Sequence, residues 1–535
     1  MFYNYYRQSG DAEYNECTAR GACSIAPNIS SLQEVLLIFL KQLAFYAIKL
    51  NEFGQDTSNI ENSIIEGLST LVSTTDYSDK LLLNIVSRLY NTLNSAKTLY
   101  QKVCDEKKIN CEDLKFELKI DTGTSLSNII TQGERAFLAK YKKISTNQKN
   151  LSEILLFVLK SICMNILQLQ DFGVDTKDAV AEVLNGLNTL NYSKIQISKI
   201  KEKINRLVEV DNRLLGEINT AQKNVYGALK HADVSHSTSP GKAILVSGGS
   251  LDNLYDLLET VKDEDIDVYT HGDLLIAHAF SGFAKFDRLK GHYGDCMENC
   301  ILDFATFPGA IFLTKNFSQN LEFLYRGRLF TTAKIQPQGV VKIDNDNYTP
   351  LIESALAAKG FAKGRAKDSE FVGYDSEKLD EIIDEISSKF ENKEIQYLFI
   401  VGVSTFSYNN QEYFKKLFKS LPKNSFVISF SYAEEQPNFL HLNLVNNLPL
   451  IYGVAEQLFK KIPVNSDRIA FFLTRCDVSS ISNMLGLKLN GAKNIFLSKC
   501  PPNAMNPSVL KTLEEDYNIH LTSTPKDDIE RIVNK

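Results

Sequence analysis

The sequence predicts a multidomain α plus α/β protein, in which an N-terminal helical domain of two duplicated three-helix bundles is followed by two Rossmann-like α/β domains. Three observations lead there. The chain has 535 residues, more than one hydrophobic core serves, so it divides into several domains. A long apolar segment with helical spacing recurs within the N-terminal third. Beyond it the pattern turns to short β-branched runs alternating with amphipathic helices, which points to parallel sheets.

In the helical part, SLQEVLLIFLKQLAFYAIKLNEFGQDT (31–57) returns as NLSEILLFVLKSICMNILQLQDFGVDT (150–176). Leu32 pairs with Leu151, Glu34 with Glu153, Lys41 with Lys160, Gly54 with Gly173 and Gly67 with Gly186, always 119 residues apart. A constant offset means that nothing has been inserted or lost across two consecutive helices. Ser31 and Asn150 precede Glu34 and Glu153 at close to capping-box spacing, and the glycine of FG-x-DT ends each first helix. Asp56 or Asp175 opens the second, and a third long helix follows at 79–104 or 193–230. Residues 31–120 and 150–230 are therefore expected as two copies of a three-helix bundle.

HSTSPGKA (236–243), rich in Ser, Gly and Pro, reads as a linker. AILVS (243–247), IDVYT (266–270), AIFLT (310–314) and VVKI (340–343) are candidate strands, the first two flanking the helix LDNLYDLLETVK (251–262). YLFIVGV (397–403), FVISFS (426–431), RIAFFLT (468–474) and NIFLSK (494–499) repeat the theme, with helices at 409–421, 477–488 and 507–516. Ligands of such sheets bind outside the carboxyl ends of the strands. Function is therefore sought in the turns SGGS (247–250), THGD (270–273), TKNF (314–317), VSTF (403–406), SFSY (429–432), TRCD (474–477) and SKCP (498–501). SGGS lacks the full G-x-G-x-x-G spacing and reads as a tight βα turn.

Apolar residues make up 44% and charged residues 23% of the chain, the soluble globular range, and the net charge is −6. That balance gives no pull toward nucleic acid or an anionic membrane. MFYNYYRQSGDAEYNE has no basic stretch followed by an apolar run, so no secretory signal is expected. Lys41 and Lys160 interrupt the most apolar stretches, 34–50 and 153–169, short of the ~18 uninterrupted apolar residues of a membrane span. Nine cysteines in such a chain are expected as reduced thiols in a cytoplasmic protein.

CTARGAC (17–23), YTHGDLLIAH (269–278), GHYGD (291–295), FPGAIFLTKNF (307–317), YRGRLFTT (325–332) and NPSVLKTLEEDYNIHLTSTPKDDIERI (506–532) follow one another across nearly the whole chain. In order and spacing they resemble the hybrid cluster proteins, the prismane or hydroxylamine-reductase family related to carbon monoxide dehydrogenases. The resemblance implies redox chemistry on iron–sulfur clusters held by cysteine thiolates, the soft ligands that such clusters require. It also implies where the ligands belong. Of four N-terminal cysteines, the last two match Cys17 and Cys23, while the first two positions carry Tyr3 and Tyr6. For the hybrid cluster, the family's histidine falls on Gly249 and its glutamate on Asp273. Its cysteines fall on Phe317, Ser404, Ser431 and near Gln457, and a final glutamate falls between Leu473 and Asp477. Only Asp273 keeps a ligand type; phenyl rings do not bind metal, and phenolate and alkoxide oxygens are harder than thiolate.

The lost ligands favour a catalytically inactive paralogue without the hybrid cluster, retaining an interdomain cavity for a small molecule or protein partner. No cofactor, nucleic acid or membrane partner is expected for it. The alternative is an iron–sulfur oxidoreductase reducing hydroxylamine or nitric oxide at a rebuilt metal centre. Its candidate ligands are Cys296 and Cys300, one helical turn apart, and Cys476 and Cys500, both after strands. The expected division is 1–30, a former iron–sulfur segment; 31–238, helical; 239–374 and 375–535, both α/β. Phe317 and Gln457 are expected to fill the vacated space. Asp273, His271, Ser404 and Ser431 are expected to line one polar cavity, or Asp273 to cap a helix beginning at Leu274.

Overall fold

Apolar residues at helical spacing build the N-terminal third of the computed structural model from α1 (Pro27–Glu52), α2 (Ser58–Val72), α3 (Asp79–Lys107), α4 (Leu126–Lys140), α5 (Thr146–Asp171), α6 (Lys177–Thr189) and α7 (Ile197–Tyr226). The structure describes all residues except 1–26, 73–78, 115–118, 141–143, 193–194, 295–298, 318–324, 326, 334–338, 403–407, 431–437, 474–477, 499–506 and 535. They form two compact units. One comprises Met1–Leu214, Asp477–Gly486 and Pro501–Tyr517; the other Leu215–Cys476, Leu487–Cys500 and Asn518–Lys535.

In the first unit, α1 packs against α2, α3, α4 and α6. Gly54 and Gly173 close α1 and α5 at φ +72° and +71°, where a side chain would be strained. A methyl on Gly67 would come 2.6 Å from Leu40 Cδ2 and 3.3 Å from Leu89 Cδ1, so the glycine lets these leucines pack against the helix without shifting. Gly186 repeats the arrangement, at 2.6 Å from Leu159 and 3.1 Å from Leu207. By length and composition α1 and α5 could cross a membrane despite their lysines, yet 89% and 78% of their most apolar windows are buried inside the fold.

Three expectations about this unit need correction. Ser31 and Asn150 are not caps, because α1 and α5 begin four residues earlier, at Pro27 and Thr146. Ser145 caps α5, its side chain accepting from the Gln148 amide at 3.2 Å. Asn150 instead turns to the helix Pro507–Tyr517, donating to the Ser508 carbonyl at 2.8 Å and to Thr512 Oγ1 at 2.9 Å. The cysteines are not all reduced either, since Cys104 and Cys111 form a disulfide across the end of α3, their Cα atoms 5.7 Å apart. That separation lies within the range a disulfide spans without moving the backbone. The helix α4 was not anticipated.

A carboxylate lies in this helical interior. Asp211 on α7 is fully buried and accepts from Ser161 Oγ and Asn165 Nδ2 of α5, each at 2.8 Å. Burial pushes its carboxyl up to about 6, although the Ser482, Ser161 and Asn165 side chains favour its charged form.

The second unit carries two six-stranded parallel sheets. One contains β2 (Lys242–Ser247), β3 (Ile266–His271), β4 (Leu289–His292), β5 (Ala310–Leu313), β6 (Leu329–Thr331) and β7 (Val341–Lys342), in the order β4-β3-β2-β5-β6-β7. The other contains β9 (Tyr397–Gly402), β10 (Ser425–Ser429), β11 (Phe439–His441), β12 (Ile469–Leu473), β13 (Asn494–Leu497) and β14 (Ile519–Leu521), in the order β11-β10-β9-β12-β13-β14. Every pairing within them is parallel. Each sheet follows the doubly wound strand order, reversing direction beside its first strand.

The segment read as a linker is not one. β1 (Ala232–Ser235) pairs antiparallel with β8 (Ser369–Val372), and the Thr238 and Gly241 amides donate to the Arg365 and Phe361 carbonyls at 2.9 and 3.0 Å. Its Ser, Gly and Pro content suits an irregular edge as well as a free chain, so composition did not distinguish the two.

Candidate functional site

Strand order reverses between β2 and β5 in one sheet and between β9 and β12 in the other, and ligands of doubly wound sheets enter at such points. At the first, the chain fills the crevice itself. β2 ends at Ser247, and Gly248 (φ +136°) turns so tightly that a methyl would collide with Thr314 Oγ1. The Gly249 amide donates to Thr314 Oγ1 at 3.3 Å and Asn316 Oδ1 at 3.2 Å. The Lys315 amide donates to Asn253 Oδ1 at 2.8 Å, while the Lys315 ammonium pairs with Asp252. The Gly249 amide, a donor a phosphate would need, is already engaged, so SGGS acts as a βα turn.

Two of the positions singled out from the sequence meet beside this turn. A Cβ built on Gly249 would lie 3.5 Å from Asp273 Cβ and 3.4 Å from Asn316 Nδ2. Asp273 is held from another side by Asn446, whose Nδ2 donates to Oδ1 at 2.7 Å. Asp273 does not cap a helix at Leu274: it sits in the first turn of a 3-10 helix, Gly272–Ala279, whose N-cap is His271. Gly272, where the chain turns from β3 into that helix, takes φ +64°, in the left-handed region open to glycine.

Phe317 closes the TKNF turn, its amide donating to the Thr314 carbonyl at 2.9 Å. Its side chain is buried with Leu245, Phe304, Leu313, Tyr325 and Leu329, its ring 6.2 Å from that of Phe304. Gln457, on the helix Leu448–Lys461, has Oε1 buried with no hydrogen-bond partner among the described residues. At the described positions that the resemblance matches to cluster ligands there are thus a glycine, a carboxylate engaged by an amide, a phenyl ring and a carboxamide. These donors do not fit an iron–sulfur cluster, which is held by thiolates.

Tyr3, Tyr6, Cys17, Cys23, Ser404 and Ser431 lie outside the described residues, as do Cys296, Cys476, Cys500 and 474–477. The expected cavity shared by Asp273, His271, Ser404 and Ser431 is therefore described only at its first two members. Cys300 is buried in the same apolar core as Phe317. Among the described residues no three His, Cys, Asp or Glu side chains are arranged to hold a metal ion.

A histidine network runs under the carboxyl edge of β3. Thr270 Oγ1 shares hydrogen bonds with His278 Nε2 and His292 Nδ1, both at 2.9 Å, and the His271 and His292 rings stack at 6.3 Å. Ser247 Oγ and His271 Nδ1 share one at 2.8 Å, and His271 Nε2 lies 3.3 Å from Asp303 Oδ2. The ring nitrogens are exchanged relative to a nucleophile triad, and Ser247 and His271 are both fully buried, so the arrangement supports the strand end and does not present a nucleophile. The signal in the sequence was three histidines within 271–292, a density that pattern reading did not join to Thr270.

Burial drops His278 to about 4. The unfolded chain, titrating near 6.5, then binds the proton first, so this stability is present above that value and is lost as pH falls toward 4. Denaturant melts at pH 6.5 and 4.5 are expected to show a larger acid loss for the wild type than for His278→Gln. Equal losses would place the acid-labile group elsewhere.

Comparison with known proteins joins these observations to a family. The family model described as Prismane/CO dehydrogenase family matches residues 12–438. A hydroxylamine reductase from Thermodesulfovibrio yellowstonii is 25% identical over 97% of this chain and 98% of its own length. Another, from Methanocella arvoryzae, is 24% identical over 99% of both chains. A chain of a solved acetyl-CoA synthase/carbon monoxide dehydrogenase structure aligns over 96% of this chain and 84% of its own, with 10% identity and a TM-score of 0.46. Because the matched segment extends from the CTARGAC region into the second parallel sheet, this chain belongs to the Prismane/CO dehydrogenase family.

Proposed function

We propose that this protein is a hydroxylamine reductase-like paralogue that has lost the hybrid cluster and its catalysis, and that it keeps an interdomain cavity for a small molecule or protein partner. One observation carries the reading. Asp273, the one ligand-type residue retained at the hybrid-cluster positions, is held by the Asn446 amide beside a glycine. Fold is not function without its site. The rest of the reading follows the sequence: a former cluster-binding segment at 1–30, duplicated three-helix bundles within 31–238, and α/β domains at 239–374 and 375–535. The matching glycine contacts of Gly67 and Gly186 support the duplication. The protein acts in the cytoplasm, without a cofactor.

Iron and acid-labile sulfide in anaerobically purified protein test it. The expected result is no stoichiometric iron, no charge-transfer band and no hydroxylamine reduction. About four or more irons per chain, the content of a cubane cluster, would refute it.

A further inference from the structure

We propose that Cys104 and Cys111 form a reversible thiol–disulfide couple, a modification site for low-molecular-weight disulfides and thiols at the end of α3. The two sulfurs differ in access. Cys104 is fully buried in the last turns of the helix, whereas Cys111 is half-buried beyond its end. The residues between them, Asp105–Asn110, are all exposed. An incoming disulfide or thiol therefore reaches Cys111 first, and Cys104 acts as the resolving thiol.

Opening the bond is local. The Ile109 amide donates to the Cys104 carbonyl at 3.0 Å, closing the helix end whether or not the sulfurs are joined. The Glu112 amide donates to Tyr100 Oη at 3.0 Å, and Tyr100 packs edge-on against Phe45 and Tyr46. Reduction thus frees the 105–111 turn between two fixed points and leaves the aromatic cluster in place.

The chemistry balances. The Cys111 thiolate attacks an external disulfide, RSSR, forming a mixed disulfide and releasing one RS⁻. The Cys104 thiolate then attacks the Cys111 sulfur, closing the protein bond and releasing the second RS⁻. Two electrons pass from the protein to RSSR, and the two thiol protons leave with the released thiols. Reduction by an external dithiol runs the same steps backwards.

Glutathione disulfide and dithiothreitol are suitable probes on the whole, folded chain. Reduced protein is treated with glutathione disulfide, blocked with N-ethylmaleimide, then reduced, labelled with iodoacetamide and mapped by mass spectrometry. Cys104 and Cys111 are expected to gain the second label together and to lose it after native dithiothreitol treatment. Blocking and labelling are carried out in denaturant, so that the fully buried Cys104 is read, and the buried Cys163 and Cys300 serve as internal controls that take N-ethylmaleimide and no second label. In Cys104→Ser, Cys111 should retain a glutathionyl group that the wild type resolves. Amide exchange across 105–111 should quicken on reduction while the melting temperature changes little. The proposal is overturned if both thiols stay N-ethylmaleimide-reactive after oxidation, if native dithiothreitol cannot open the bond, or if Cys104→Ser traps no adduct at Cys111.

Discussion

Phe317→Ala is expected to destabilise the second unit by roughly 3–5 kcal/mol, the usual cost of emptying a buried aromatic site. Phe317 retains only 7% of its exposure and belongs to the core that includes Leu245, Leu313 and Phe304. Removing the ring loses its transfer free energy and leaves a void that strands held in register collapse into poorly. The backbone bond from the Phe317 amide to the Thr314 carbonyl is kept by alanine, so the loss reads the ring's burial alone. Phe317→Leu keeps most of the apolar volume and should cost well under half as much. The measurement is the denaturant transition of this unit, followed by a probe within it, since a chain of two units has no single unfolding free energy. A near-neutral Phe317→Ala would mean that the ring's pocket is open to solvent, and the crevice would then be available to a ligand.

The second large effect is a pH dependence of the helical unit with the opposite sign to that of His278. Asp211 titrates at about 6 in the fold against 3.8 for the ordinary carboxyl. Its folded value is raised, so the native state binds the proton more tightly. Stability is greatest below 3.8 and falls as pH rises through about 6. Raising the carboxyl from 3.8 to about 6 corresponds to a penalty of about 3 kcal/mol at neutral pH. Asp211→Asn keeps the shape and removes the charge, so its stability should be nearly flat across that window. The wild-type difference between pH 4.5 and 7.5, minus that of the variant, should approach about 2–3 kcal/mol. Parallel curves would show that Asp211 ionises without resistance and that water reaches it.

The helices and parallel strands were legible because their signals are periodic. α1 and α5 show the same helical spacing in matching segments of sequence, and β2, β5 and β9 are apolar runs bounded by turns. Edges were harder. β4, LKGH, and β11, FLH, are short and carry polar residues, so neither alternation nor a continuous run marks them. The caps were misplaced because Pro27 and Ser145 precede the repeated segment, and the constant offset drew attention to Ser31 and Asn150 instead. Of the site, Gly249 and Asp273 could be named from the sequence, but Asn446 could not. It lies 173 residues from Asp273, and nothing local distinguishes it from Asn443 or Asn447. Asn316 was within a highlighted turn without being recognised as the residue that occupies the crevice.

The helical unit's three-part composition sets an order of events during synthesis. Its largest stretch, Met1–Leu214, leaves the ribosome first, but Asp477–Gly486 and Pro501–Tyr517 belong to it as well. Asn150 waits for Ser508 and Thr512 to satisfy its amide, whereas the buried Asp211 finds Ser161 and Asn165 within the first stretch itself. Domains ordinarily mature in the order of translation. Here the nascent helices wait with the Asn150 carboxamide unmet until most of the α/β unit has emerged. The part begun first is completed only at Tyr517, shortly before the last segment of the α/β unit, and a chain halted before residue 477 lacks two of its three pieces.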